Sequence, residues 1–163
     1  MAGGAAFFQL SIHGDVQVSR RLERFAHRAG DASPLWHNII EYLERAEVRQ
    51  FNSQGATGSG GWKPLASTTK EYKRLAGLDP RILHATLALR DSLTKGGGDA
   101  VRVVTDQSMG FGTTVPYARF HQLGEGVPMR KPLELTEGQR KTIAKRIQRW
   151  IVTGDVYTAS GGL

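Results

Sequence analysis

Apolar positions along this chain switch between two periods, and the switches mark its elements. In Phe8-Gln9-Leu10-Ser11-Ile12-His13 apolar and polar residues alternate, which predicts a half-buried strand closed by Gly14-Asp15, with His13 on its polar face. From Val16 the spacing becomes helical. Val18, Leu22, Phe25, Ala26 and Ala29 share one side, Arg20, Arg21, Arg24 and Arg28 lie elsewhere, and Gly30-Asp31 ends the run. Ser33-Pro34 then reads as an N-cap serine followed by a first-turn proline. The helix it starts carries Trp36, Ile39, Ile40, Leu43, Ala46 and Phe51 on one stripe, with Glu41, Glu44, Arg45, Arg49 and Gln50 around the rest.

The middle of the chain is punctuated by glycine. Residues 53–61 are glycine-rich without a hydrophobic anchor, and predict a mobile loop. Trp62 either anchors the return of that loop onto the core or inserts into a neighbour. Ser67 or Thr68 can cap a short helix that Gly77 ends, and Ile82 to Leu93 resumes helical spacing as far as the Gly96-Gly97-Gly98 break. Val101–Thr105 and Met109–Thr113 predict a hairpin turning at Asp106-Gln107. Gly110 and Gly112, alternating with Met109 and Phe111, suggest a strand face open to close approach.

Thr136-Glu137-Gly138-Gln139 matches a capping box. The helix after it has Ile143, Ile147, Trp150 and Ile151 as a buried stripe, with Lys141, Lys145 and Arg149 pointing the other way. Residues 153–163 read as a loose tail. The pattern predicts a single α/β (α+β) domain over residues 1–152, in which amphipathic helices flank a small, mostly antiparallel sheet.

Composition narrows the class. The 163 residues suit one domain, and the absence of cysteine excludes disulfides and thiolate metal sites. No apolar run reaches the roughly 18 residues of a membrane span, and the first residues lack the basic and apolar regions of a signal peptide. The expectation is a soluble, intracellular-type chain without a membrane partner. The net charge of +7 is uneven: seven cations face two anions between Val127 and Trp150. Such a segment fits nucleic acid, an acidic protein partner or a solvated face.

Chemistry finds little support. No two of His13, His27, His37, His84 and His121 have the spacing of metal ligands. No Gly-x-Ser-x-Gly or phosphate-loop signature occurs. No cofactor is implied and an enzyme is not expected. Nucleic-acid binding is the stronger rival, because Lys141, Lys145 and Arg149 could track phosphates with Arg130 and Lys131 beside them. The basic face has no base-reading asparagine or glutamine.

The densest stretch is Tyr117-Ala118-Arg119-Phe120-His121-Gln122-Leu123-Gly124, followed by Pro128-Met129-Arg130-Lys131-Pro132. It reads as a shaped surface. Earlier in the chain come Gly61-Trp62-Lys63-Pro64-Leu65 and Leu89-Arg90-Asp91-Ser92-Leu93. In this order, over about residues 45 to 152, these landmarks resemble the phage virion morphogenesis family, the tail completion proteins of tailed bacteriophages. That family usually has a glycine two residues before the Leu-Arg-x-Ser-Leu run. Here the position is Leu87, which suggests that the turn has become continuous helix.

The resemblance implies a non-enzymatic virion protein at the head–tail junction, assembled in the host cytoplasm and acting as a homo-oligomeric, sixfold ring that joins or caps the tail. Its partners would be connector or head-completion proteins and the tail tube, with non-specific contact to DNA in the channel. The alternative is a basic, nucleic-acid-associated packaging or assembly factor not retained in the virion. On the first reading the candidate interface is Trp62, Lys63, Pro64, Arg90, Tyr117, His121, Gln122, Gly124, Pro128 and Arg130, and the candidate DNA-path face is Lys141, Lys145 and Arg149. His121 and Gln122 would fix the turn to Gly124, within one subunit or across two. Arg130 would offer its planar fork to a carboxylate on a neighbour.

Overall fold

A computed structural model describes residues 16–58 and 60–156, so the predicted strand at Phe8–His13 and the tail beyond Val156 lie outside the described residues. Six helices and one hairpin follow in the order α1 (Val16–Gly30), α2 (Ser33–Asn52), α3 (Ser67–Leu75), α4 (Ala88–Thr94), β1 (Ala100–Val104), β2 (Met109–Thr113), α5 (Ala118–Leu123) and α6 (Glu137–Thr153). The result is a mixed domain, a small antiparallel sheet flanked by helices.

The central element is α2. Its apolar stripe is wide enough to face two directions, and it packs against α4, α6 and β1. On one side Ala32, Leu35, Ile39 and Leu43 meet Trp150 of α6. On the other, Phe51 joins Trp62, Leu89, Leu93, Val115 and Ala118. Phe111 of β2 touches both clusters and ties them together.

The hairpin pairs Ala100 with Thr113, Arg102 with Phe111 and Val104 with Met109. Arg102 and Phe111, directly opposed, place the guanidinium 4.0 Å from the ring centroid. The glycine face allows no unusual approach: a Cβ on Gly110 or Gly112 would meet only Val103 or Val101 across the ladder.

Local expectations hold at some ends and fail at others. Thr136 and Gln139 form the reciprocal capping box of α6. Ser33 is not the cap of α2: Ala32 holds that position, and the Ser33 amide donates to Asp31 Oδ1 at 2.9 Å. Ile151 is exposed, so the buried stripe of α6 ends at Trp150, and Arg146 is buried beside it.

The predicted helix from Ile82 is the largest correction. Only Ala88–Thr94 is helical, because Leu83 and Leu87 both take left-handed backbone, at φ 60° and 63°. Tertiary bonds hold the irregular run. Lys73 Nζ donates to the carbonyls of Asp79 and Arg81, Ile82 N donates to Gln54 Oε1, and fully buried His84 sets Nδ1 against the Ile82 carbonyl. The leucine at 87 therefore keeps the turn that glycine would make, and does not extend the helix.

Candidate functional site

The Tyr117–Gly124 stretch folds as the short helix α5, ended by Gly124 in the left-handed region at φ 76°. A side chain at Gly124 would also press on Met129 Cβ at 3.0 Å, so conformation and space both call for glycine there. The chain then turns back, and Arg130 N donates to the His121 carbonyl at 2.9 Å.

Gln122 works on a different target from the one expected. Its amide donates to the Leu133 carbonyl at 2.8 Å and accepts from Leu133 N at 3.2 Å. It thus clamps the 133 segment, and does not fix the turn to Gly124, which the Phe120 carbonyl closes.

Arg130 and Trp62 both spend their polar groups inside the subunit. Arg130 is 6% exposed and donates from Nε and Nη2 to the carbonyls of Lys63 and Pro64, at 2.7 and 3.1 Å. Trp62 is 7% exposed, stands edge-on to Phe51 at 5.3 Å, and donates from Nε1 to the Lys131 carbonyl at 3.0 Å. These two side chains staple the stretch around 63 to the stretch around 131.

Hydrogen bonds also thread the preceding loop. Trp62 N donates to the Gln54 carbonyl, Gly55 N to that of Gln50, and a Cβ on Gly55 would strike the indole.

Between these stretches lies an open groove of about 710 Å³. Six of the sequence-predicted residues line it: Lys63, Pro64, Tyr117, His121, Pro128 and Arg130. Leu65, Ile82, Leu83 and Val127, none of them among the candidate interface residues, add apolar wall. Tyr117 is exposed at the rim, edge-on to His121 at 6.4 Å.

Burial, with Arg130 adding to it, holds His121 below the ordinary histidine pKa, so its ring is neutral at pH 7. Burial likewise lowers Lys73, whose ammonium is occupied by two carbonyls.

The remaining candidates sit apart from the groove. Arg90 is half-buried and paired with Asp91 at 2.9 Å. Lys141, Lys145 and Arg149 are exposed on the outer side of α6, with Lys141 3.6 Å from Glu137 and Arg149 3.9 Å from Asp155.

One buried acid in α2 interrupts the apolar pattern of that helix. Glu47 falls four residues after Leu43 and four before Phe51, on the apolar stripe, and it is buried.

The groove thus combines an apolar wall, an exposed rim and cations committed to backbone carbonyls. No group of three potential metal ligands occurs among the described residues, and no helix there is long and apolar enough to cross a membrane. The chain belongs to the phage virion morphogenesis family, whose model matches residues 14–151 and so takes in α1 and α2 as well as the landmarks from Gly61 onward. It matches no curated protein and no solved structure. Membership makes it a structural protein of virion morphogenesis, without enzymatic activity, that works among other virion proteins.

Proposed function

We propose that the chain is a subunit of a ring at the phage head–tail junction, which joins or caps the tail during assembly and stays in the virion. The observation that carries this reading is that the described residues leave two unlike apolar surfaces uncovered. The first is the groove rimmed by Tyr117, Lys63 and Pro128. The second is the outer side of α1, where Leu22 and Phe25 are 63% and 46% exposed beside Ile151 and Val152 of α6. A helix as amphipathic as α1 ordinarily hides its apolar side. Two different surfaces on each copy are what a head-to-tail ring needs. The sixfold count comes from the family resemblance, as do the connector and tail-tube partners.

Copy number in purified virions tests this. Quantitative mass spectrometry is expected to find a small multiple of six copies per particle, and absence from the particle would sink the reading. Tyr117→Asp and Lys63→Glu, both at the exposed rim, are expected to leave the subunit folded while producing filled heads and free tails.

The exposed row Lys141, Lys145 and Arg149 favours a second reading, contact with DNA phosphates by an assembly factor outside the virion. That reading predicts binding that weakens steeply with salt and with loss of the three cations. Unchanged DNA mobility at low salt would dismiss it.

A further inference from the structure

A second cavity, of about 250 Å³, opens beside α2. Leu43, Phe111, Leu133 and Leu135 wall it, and two carboxylates line it, Glu47 and Glu134. Glu47 is 3% exposed, and its Oε2 has no hydrogen-bond partner among the described residues. Glu134 Oε2 is buried and in the same condition.

The cation closest to this problem, Arg102, is already committed. Its guanidinium bonds Glu44 at 3.0 Å and the carbonyls of Val101, Gly112 and Ser92. Lys131 reaches the other oxygen of Glu134 only at 4.0 Å. Burying carboxylate oxygens without partners is unfavourable, and a leucine at 47 would continue the apolar stripe of α2. Glu134 Oε2 lies against Gly58, as does the side-chain amide of Gln50, and no described residue is bonded to either orphaned carboxylate oxygen.

We propose that this cavity takes the aliphatic stem and cationic head of a lysine or arginine from a second copy of this chain. The apolar walls suit the methylene stem, and the two unpartnered oxygens suit an ammonium or guanidinium. Charge complementarity points to a second copy. The chain carries 22 lysines and arginines, and Lys141, Lys145 and Arg149 stand exposed along α6.

Cavity and cation row share no residue, so one copy can seat its row on the next copy's cavity head to tail, as the proposed ring requires; the inference rests on that reading. Consecutive residues also connect the two acceptor features. Val127, Pro128 and Arg130 line the groove, and Leu133, Glu134 and Leu135 line the cavity. A cation seated there, desolvated against two carboxylates, would be a strong anchor of the interface.

Two measurements on the full chain test the proposal. In the first, n-butylguanidinium is titrated at pH 8.5 while the Glu47 carboxyl is followed by NMR. A saturable shift is expected, at least tenfold weaker for Glu47→Gln and weakened also for Glu134→Gln. Binding is expected to fall toward pH 6 as Glu47 protonates. The buried or half-buried charged groups on elements packed against α2 are Arg102 on β1, the Arg90–Asp91 pair on α4, and Arg146, bonded to Asn38, on α6. A probe that binds Glu47→Gln as well as the natural chain overturns the cavity.

In the second measurement, sedimentation follows self-association. Glu47→Gln and the joint change of Lys141, Lys145 and Arg149 to glutamine are each expected to weaken it at least tenfold. Melting curves of the two variants at pH 5, where Glu47 is protonated, are expected to match the natural chain, because glutamine is nearly isosteric with the protonated acid and the α6 cations are exposed. Association that survives either change overturns the proposal. A chain that takes up the probe yet stays monomeric at all concentrations overturns the second-copy occupant together with the ring, and leaves the cavity to a cation of another protein.

Discussion

At Leu87 the backbone is left-handed, at φ 63°, where a Cβ is crowded against the following carbonyl. Glycine would relieve about 1 kcal/mol of that strain, offsetting most of what a half-buried leucine contributes by packing. Leu87→Gly is therefore expected to leave the urea midpoint nearly unchanged, whereas removing fully buried Leu89 to alanine is expected to cost about 2–5 kcal/mol. Glu47 gives a prediction in pH. Burial raises its carboxyl to about 8 from 4.5, against the weaker opposing pull of Arg102. The folded chain thus holds this proton more tightly than the unfolded chain. The stability it contributes is fully present below pH 4.5 and is lost as pH rises toward 8, on the order of 3 kcal/mol by pH 7. Denaturation of the monomer at pH 5, 7 and 8 is expected to show this decline, and Glu47→Gln is expected to flatten it. A natural chain equally stable at all three values would mean that Glu47 is ionised within the fold at no cost.

Among the elements, the two long helices α2 and α6 and the hairpin follow from periodicity and punctuation, because in each the local pattern and the packed face agree. The capping box of α6 is the clearest case: Thr136→Ala is expected to cost about 1 kcal/mol, read from the shift in denaturation midpoint. The run from Ile82 to Leu87 was not legible, because its left-handed leucines are held by Lys73, Gln54 and buried His84, groups far apart in the sequence pattern. The site was legible in part. The Tyr117–Arg130 stretch does bring four named residues, Tyr117, His121, Pro128 and Arg130, to one groove, since a short helix closed by glycine and a doubling-back chain keep sequence neighbours together. Spacing could not reveal that Trp62 and Arg130 turn inward, because a bond to the Lys131 or Lys63 carbonyl depends on a chain segment nearly seventy residues away. This decides which variants are informative about assembly. Trp62→Ala is expected to cost about 3–5 kcal/mol and loosen the subunit itself, so a tail-joining defect from it would not separate core from interface.

For the whole molecule, the proposed ring turns on how copies would meet. If the groove of one copy receives the α1–α6 side of the next, each copy has one acceptor and one donor, and association continues until the ring closes. Leu22→Glu with Phe25→Glu changes only exposed side chains, so the melting temperature is expected to stay within the range of ordinary surface substitutions. Tyr117→Asp does the same at the groove rim. Each variant alone is expected to be monomeric, since every contact it could form lacks one intact side. Mixed in equal amounts, the two retain one intact contact between them, the unaltered groove of the α1 variant and the unaltered α1 of the groove variant. A heterodimer is expected, and growth beyond it is not, because both of its free surfaces carry a substitution. Sedimentation of the mixture reads this directly. A two-fold contact pairing like surfaces predicts otherwise: the variant altered on the unused surface would still dimerise by itself. A sharp dimer that appears only on mixing therefore separates head-to-tail assembly from two-fold pairing, without any partner from the virion.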